Sequence, residues 1–93
     1  RRDALTGLAN RDFLFDTGAR DLARCRRKGQ PITAAFLDCD QFKQVNDRYG
    51  HATGDLVLRT IAHCLRANCR DSDLVARLGG DEFAVLLLEK PVA

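Results

Sequence analysis

The chain lacks the features that mark membrane-spanning and nucleic-acid-binding proteins. Its longest apolar runs are far shorter than the roughly 20 residues that cross a bilayer. Its formal net charge is +2, which is too small to indicate a nucleic-acid or membrane-surface partner. It also has no internal repeat and no low-complexity stretch. We therefore expect no membrane segment in this chain and no nucleic-acid partner.

The chain also lacks closely paired cysteines. Cys25, Cys39, Cys64 and Cys69 show no Cys-x-x-Cys spacing, and His63 beside Cys64 does not complete a tetrahedral zinc set. No secretory pattern opens the sequence. We expect reduced thiols in a cytoplasmic protein, mostly packed as small hydrophobic residues.

The amounts and order of the residues present indicate one small globular domain over residues 1–93. Hydrophobic residues make up 45% of the chain and charged residues 30%, which is ordinary for a globular protein. Apolar periodicity and helix breakers predict helices at 12–28, 41–48 and from 53 or 54 to 69, and strands at 32–37, 74–78 and 83–88. This α-β-α-α-β-β order is typical of an α+β or α/β layered domain.

Apolar residues in these elements predict which surfaces are buried. The run 32–37 is almost unbroken, so we expect its strand to be buried on both faces. Residues 84–88 need neighbours on both edges and cover on both faces, so we expect a domain that continues past Ala93. Helical spacing places Phe15, Ala19, Leu22 and Ala23 on one face of the first helix, and Leu58, Ile61, Ala62, Leu65 and Cys69 on one face of the third.

The most informative segment places two glycines before two acids. Glycine reaches positive φ without steric cost, so Gly79 and Gly80 predict a tight hairpin with Asp81 and Glu82 at its tip. Carboxylates on a rigid turn suit a metal or a phosphate-handling site. The alternative is a polar hairpin tip with no chemistry, because such residues are common in turns.

A second acidic segment follows the first predicted strand. Ligands of layered α/β sheets bind at the carboxyl ends of strands, where Asp38 and Asp40 lie. If this strand neighbours the hairpin, Asp38 and the hairpin acids could share Mg²⁺, and Lys43 could neutralise phosphate at the next helix start. Capping of that helix is the alternative role for both aspartates. A calcium loop is excluded, because Phe42 and Lys43 stand where an oxygen ligand and a glycine are required.

A third segment offers an amide and a carboxylate. Asn46 and Asp55 can match the N–H groups and the carbonyl of a guanine edge. Taken singly, Asp55 also fits the role of an acid at a helix start, and His51 that of an ordinary loop residue.

In order and spacing, four segments together resemble the GGDEF family, the diguanylate cyclases. They are residues 3–11 (DALTGLANR), 38–47, 49–55 and 77–83 (RLGGDEF), and they extend over almost the whole chain. The resemblance implies a ferredoxin-like, antiparallel-containing sheet flanked by helices, similar to the palm of nucleotidyl cyclases. It also implies that such a domain continues beyond the hairpin strands.

The resemblance implies an enzyme that joins two GTP molecules into cyclic di-GMP and releases two pyrophosphates. Asp38, Asp81 and the backbone carbonyl of Cys39 would bind Mg²⁺ or Mn²⁺. Asp81 would also act as base for the attacking 3′-hydroxyl, Glu82 would assist in the same site, and Lys43 would stabilise phosphate charge.

The same resemblance assigns the nucleotide contacts. Asn46 and Asp55 would read guanine, His51 would lie near the nucleotide, and Phe42 and its neighbours would cradle phosphate through their N–H groups. Because each domain binds one GTP, catalysis would require a homodimer with two domains face to face. An upstream sensory or regulatory domain would then control dimerisation.

Arg70 and Asp73 resemble the Arg-x-x-Asp site through which cyclic di-GMP inhibits this family. The alternative is a helix-end arginine followed by a polar loop. Two other functions stay open for the whole chain. One is a catalytically inactive module that binds GTP or cyclic di-GMP, and the other is a dimerisation domain without catalysis.

Overall fold

The computed structural model describes residues 1–89, and within them three helices surround a three-stranded sheet. The helices are α1 (Arg11–Lys28), α2 (Phe42–Tyr49) and α3 (His51–Asn68). The strands are β1 (Ile32–Asp38), β2 (Leu74–Gly79) and β3 (Glu82–Leu88). All six predicted elements are present in the predicted order, which confirms the α+β class. Residues 90–93 of the predicted domain lie outside the described range.

Local sequence explains the two ends of α1. The Asn10 side chain caps the helix by accepting a hydrogen bond from the Phe13 N–H at 2.9 Å. Gly29 ends it with φ of 63°, a left-handed conformation that glycine adopts without a Cβ penalty. The predicted and observed ends of α1 therefore differ by one residue at most.

The sheet is antiparallel, and its strand order is β1-β3-β2. β3 is the central strand, as its apolar sequence requires, because both of its edges are paired. In the register of β1 and β3, Asp38 pairs with Glu82. The exit of β1 therefore lies beside the hairpin that joins β2 to β3.

The core has two layers, one on each face of the sheet. Alternate strand residues point to opposite faces. Phe83, Val75 and Val85 pack with Leu58 and Ala62 of α3. On the other face, Ala76 and Ala84 pack with Leu14 of α1. The predicted apolar face of α3 is confirmed, with Ile61, Leu65 and Cys69 packed around its buried residues.

The expectation that β1 is buried on both faces is wrong. Phe36 is 69% exposed and Leu37 is 37% exposed. β1 is an edge strand in the described residues, where α1 and α3 pack against β2 rather than over β1. An apolar run shows that a strand tolerates burial, but its place in the sheet decides how much cover it receives.

The predicted face of α1 is also wrong. Phe15 and Leu22 are 53% and 48% exposed, whereas Leu14 and Cys25 are buried. α1 lies against β2, so the stripe that includes Leu14 is the one turned to the sheet. Phe15 and Leu22 instead line an apolar groove beside β1 that also includes Phe36.

The cysteines are free thiols with different degrees of burial. Cys25 is buried, Cys39 and Cys69 are half-buried, and Cys64 is exposed. The expectation that they pack as small hydrophobic residues therefore fails for Cys64. Of the helices within residues 1–89, none has the length and apolar character needed to cross a membrane.

Candidate functional site

The acidic site is built where β1 meets the β2–β3 hairpin. Gly80 and Asp81 form the turn, and Glu82 begins β3 opposite Asp38. The Cys39 N–H donates a hydrogen bond to the Asp81 carbonyl at 3.2 Å. The structure thus brings the exit of β1 and the hairpin acids together, as the metal-site hypothesis requires.

Like charges dominate the electrostatics of this site. The charge of Asp81 is the main cause of a raised pKa at Asp38, and the charges of Glu82 and Asp40 add to the effect. Burial raises the pKa of the Cys39 thiol, helped by the charges of Asp81, Asp38 and Asp40. Asp38 and Asp81 therefore lie close enough for their like charges to repel, and a cation would relieve that repulsion.

The hairpin that carries Asp81 is held by a hydrogen-bond network formed by Arg77, Asp3 and Thr6. The Arg77 guanidinium donates to the Gly80 carbonyl at 2.8 and 3.0 Å and to the Asp3 carboxylate at 3.2 Å. Thr6 donates its N–H and its hydroxyl to Asp3 at 2.9 and 2.8 Å. The start of the chain thereby fixes a turn more than seventy residues away.

Electrostatics at Asp3 match this structural role. Burial opposes ionisation of Asp3, but the hydrogen bonds from Thr6 and Arg77 outweigh it and hold the pKa of Asp3 below its usual value. Sequence reasoning assigned no role to Asp3 or Arg77. The only signal in the sequence was that the acid Asp3 lies in the segment 3–11 and the base Arg77 lies in the segment 77–83.

The loop between β1 and α2 leads from the acids to the predicted nucleotide residues. The Phe42 N–H donates to the Cys39 carbonyl at 3.3 Å, so this N–H already has a partner within the chain. Gln41 has φ of 60°, a left-handed conformation that is uncommon outside glycine and marks a constrained loop. Lys43, in the first turn of α2, is exposed.

Asn46 lies between α2 and α3 next to Gly54. Its Oδ1 atom is buried and has no hydrogen-bond partner within residues 1–89. Asp55 follows Gly54 in the chain and is half-buried. His51 is exposed and begins α3, so it is a helix-start residue rather than the loop residue of the alternative interpretation.

Sequence reasoning also missed Gly54 as a packing residue, because it placed the start of the helix at that point. The observed helix begins at His51, so Gly54 lies inside it and is buried. Glycine inside a helix costs about 1 kcal/mol relative to alanine, and its presence there signals a close approach. That signal was available once the start of α3 was known.

Arg70 and Asp73 lie at the opposite end of the sheet. The buried Asp73 carboxylate accepts hydrogen bonds from the Arg70 N–H at 2.8 Å and the Leu88 N–H at 3.3 Å. The half-exposed Arg70 guanidinium lies 3.5 Å from Asp73 and donates to the Leu88 carbonyl at 2.6 Å. Arg66 donates to the carbonyls of Arg70 and Asp73. Asp73 therefore ties the loop before β2 to the end of β3.

A metal site made only of protein side chains is not present in the described part of the chain. Within it, no three His, Cys, Asp or Glu side chains form a group suited to one ion. Mg²⁺ typically uses one or two carboxylates, with substrate phosphates and water completing its octahedron. The Asp38–Asp81 pair fits that mode of binding.

Comparison with known proteins agrees with this geometry. The family model "Diguanylate cyclase, GGDEF domain" matches residues 1–93. The diguanylate cyclase TpbB of Pseudomonas aeruginosa is 52% identical over 85 residues, which are 91% of this chain and 20% of that protein. The cyclic di-GMP phosphodiesterase NbdA of the same organism is 45% identical over 86 residues, 92% of this chain and 11% of that protein.

A solved structure gives the same result for the fold. The GGDEF domain of DgcB from Caulobacter crescentus, in complex with cyclic di-GMP, superposes with a TM-score of 0.92 at 39% identity. The match covers 97% of this chain and 51% of that chain. The chain belongs to the GGDEF family, and it spans about half of this solved chain and a fifth or less of the two curated relatives.

Proposed function

We propose that the protein carrying this chain is a diguanylate cyclase, which condenses two GTP molecules into cyclic di-GMP and releases two pyrophosphates. The observation that carries the proposal is the adjacency of two like-charged carboxyl groups, Asp38 at the end of β1 and Asp81 in the hairpin turn. In such a pair each charge disfavours ionisation of the other carboxyl group, and a bound cation would offset that repulsion. The similarity to TpbB, a protein named diguanylate cyclase, supports the same reaction.

Asp38, Asp81 and the Cys39 carbonyl would hold Mg²⁺ or Mn²⁺. Bound there, the metal would polarise phosphate oxygens and lower the pKa of the attacking hydroxyl. Asp81 accepts the proton of the 3′-hydroxyl as its oxygen attacks the α-phosphorus of the other GTP and pyrophosphate leaves. Glu82 adds negative charge beside the same site, and Lys43 balances the charge of the phosphates.

Guanine recognition is assigned to Asn46 and Asp55, one on each of the packed helices α2 and α3. The Asp55 carboxylate accepts guanine N–H groups, and the Asn46 amide donates to the guanine carbonyl. His51 and the N–H groups near Phe42 lie towards the nucleotide. Since each domain holds one GTP, the reaction occurs between two domains of a homodimer. The remaining part of the protein would control that encounter.

Incubation of the natural full-length protein with GTP and Mg²⁺, followed by chromatography, tests the proposal. We expect cyclic di-GMP and pyrophosphate in a 1:2 ratio, and no product with ATP. A protein that binds GTP or cyclic di-GMP but forms no product would support the second candidate, an inactive binding module. The similarity to NbdA, which is named a phosphodiesterase, favours that candidate. Absence of any nucleotide binding in calorimetry would indicate a dimerisation domain.

Product inhibition is proposed for Arg70 and Asp73. The exposed part of the Arg70 guanidinium suits bidentate contacts to a guanine or phosphate of cyclic di-GMP. Asp73 is already bonded to two backbone N–H groups, so its acceptance of guanine N–H groups would require it to release one of them. Arg70→Ala should relieve inhibition by cyclic di-GMP, and unchanged inhibition in this variant would contradict the assignment.

A further inference from the structure

Gly54 occupies the closest point between α2 and α3. A Cβ atom built on Gly54 would overlap Asn46 Oδ1, and it would lie 2.9 Å from Asn46 Cγ and 3.2 Å from Phe42 Cζ. Real Cβ atoms essentially never approach other heavy atoms within 3.0 Å. The Asn46 side chain thus occupies the space that any other residue at position 54 would fill.

Backbone conformation does not explain this glycine. Gly54 lies within the helix α3 and is not among the residues of positive φ. Alanine is the better helix former at such a position. Packing against α2 is therefore the physical reason for the absence of a side chain.

The same contact determines where the Asn46 amide points. Only Oδ1 of this amide is both buried and without a hydrogen-bond partner in residues 1–89. One end of the amide is thus held against α3, and the planar group is oriented by packing rather than by hydrogen bonds within the chain. Asp55, the other residue assigned to guanine, is the next residue after Gly54.

We propose that Gly54 is a positioning residue of the nucleotide site: the bare backbone at this point of α3 holds the Asn46 amide in the orientation that binds guanine. The inference rests on the proposed function, because the amide orientation that it explains is the one proposed to bind guanine. The steric fit between α2 and α3 would then be one determinant of GTP affinity.

Gly54→Ala in the full-length protein tests the proposal, with Gly18→Ala as the matched control. Gly18 is also a helical glycine, but its added Cβ would meet only Leu86 Cδ1, the end of a flexible side chain, at 2.9 Å. We expect Gly54→Ala to weaken GTP binding at least tenfold in calorimetry with Mg²⁺, and Gly18→Ala to leave it within twofold. Unchanged GTP affinity in a folded Gly54→Ala protein would overturn the proposal.

A double-mutant cycle in thermal unfolding separates steric coupling from nucleotide binding. Gly54→Ala should lower Tm by about 5 °C, in the range expected for overpacking. Adding Asn46→Ala should recover at least half of that loss, or restore folding if the single variant does not fold. No recovery would overturn the steric coupling. Unchanged GTP affinity in Asn46→Ala alone would instead reject the guanine role of Asn46. In that case the double-mutant cycle would still show whether positions 46 and 54 are sterically coupled.

Discussion

The two ends of the sheet hold aspartates in opposite electrostatic settings. At the hairpin end, Asp38 and Asp81 carry like charges close together, and the pKa of Asp38 is raised. At the other end, burial opposes ionisation of Asp73, but hydrogen bonds from Arg70 and Leu88 outweigh it and lower the pKa of Asp73. The difference is that the chain itself supplies hydrogen-bond partners for Asp73, whereas the like charges of Asp38 and Asp81 are the feature on which the proposed cation site rests.

The largest effect is expected at the hairpin end. Asp81→Ala should reduce cyclic di-GMP formation by at least about 10²-fold, because it would remove both the proposed metal ligand and the proposed base. Folding should be retained, since Asp81 lies in a turn. Product formation and circular dichroism would measure the two effects, with Asp71→Ala, an exposed aspartate at the other end, as control. Activity near that of the control would refute the assignment.

Removal of the acid at the other end should affect stability instead. Asp73→Ala leaves the Arg70 and Leu88 N–H groups without their acceptor, which costs about 2–3 kcal/mol. The half-exposed Arg70 adds little through its ion pair. Urea unfolding would measure the loss, and Asp71→Ala should change stability by less than about 0.5 kcal/mol. Equal stability of Asp73→Ala and Asp71→Ala would contradict the structural role assigned to Asp73.

A divalent cation should stabilise only through the hairpin end. At ten times its dissociation constant, Mg²⁺ should add about 1.4 kcal/mol to the stability of the nucleotide-free protein. Asp38→Asn should abolish this increment, because half of the carboxylate pair is gone, while without metal its stability should not fall below wild type. Thermal unfolding with Mg²⁺ or EDTA would test both statements. A full increment in Asp38→Asn would exclude this pair as the site.

The smallest effect is in the pH dependence of stability, where Asp38 should act with the opposite sign to Asp73 and Asp3. Asp73 and Asp3 have lowered pKa values, so their stabilising contribution is complete above their usual pKa of 3.8 and is lost as the pH falls through the lower folded values. Asp38 has a raised pKa, so the folded state takes up its proton first, and stability rises as the pH falls towards 3.8.

Urea midpoints between pH 7 and pH 2.5 would measure both contributions. We expect a small rise down to about pH 4 and a decline below it. Asp38→Asn should remove the rise, and Asp73→Asn should reduce the decline. A decline that begins well above pH 4 in the wild type would contradict the direction assigned to Asp38.

Much of the local structure was predictable from the sequence. Gly29, Gly79 and Gly80 marked a helix end and a hairpin, because φ > 0 favours glycine at such points. The predicted metal site required Asp38 to lie next to the hairpin, and the strand register meets that requirement. The degree of burial was harder to predict: Phe36 and Phe15 were expected inside and are exposed, because their neighbours depend on strand order and helix placement.

By itself, the sequence determined the order of the elements, the hairpin and the identity of the acids, since turn geometry and periodicity are local properties of the chain. Only the tertiary structure decided that Asp38 lies beside Asp81, that Asp3 and Arg77 hold the hairpin, and that Gly54 leaves room for Asn46 between two helices. The first two contacts join residues distant in the chain and the third joins two successive helices, and the energies of all three depend on distances that no local pattern encodes.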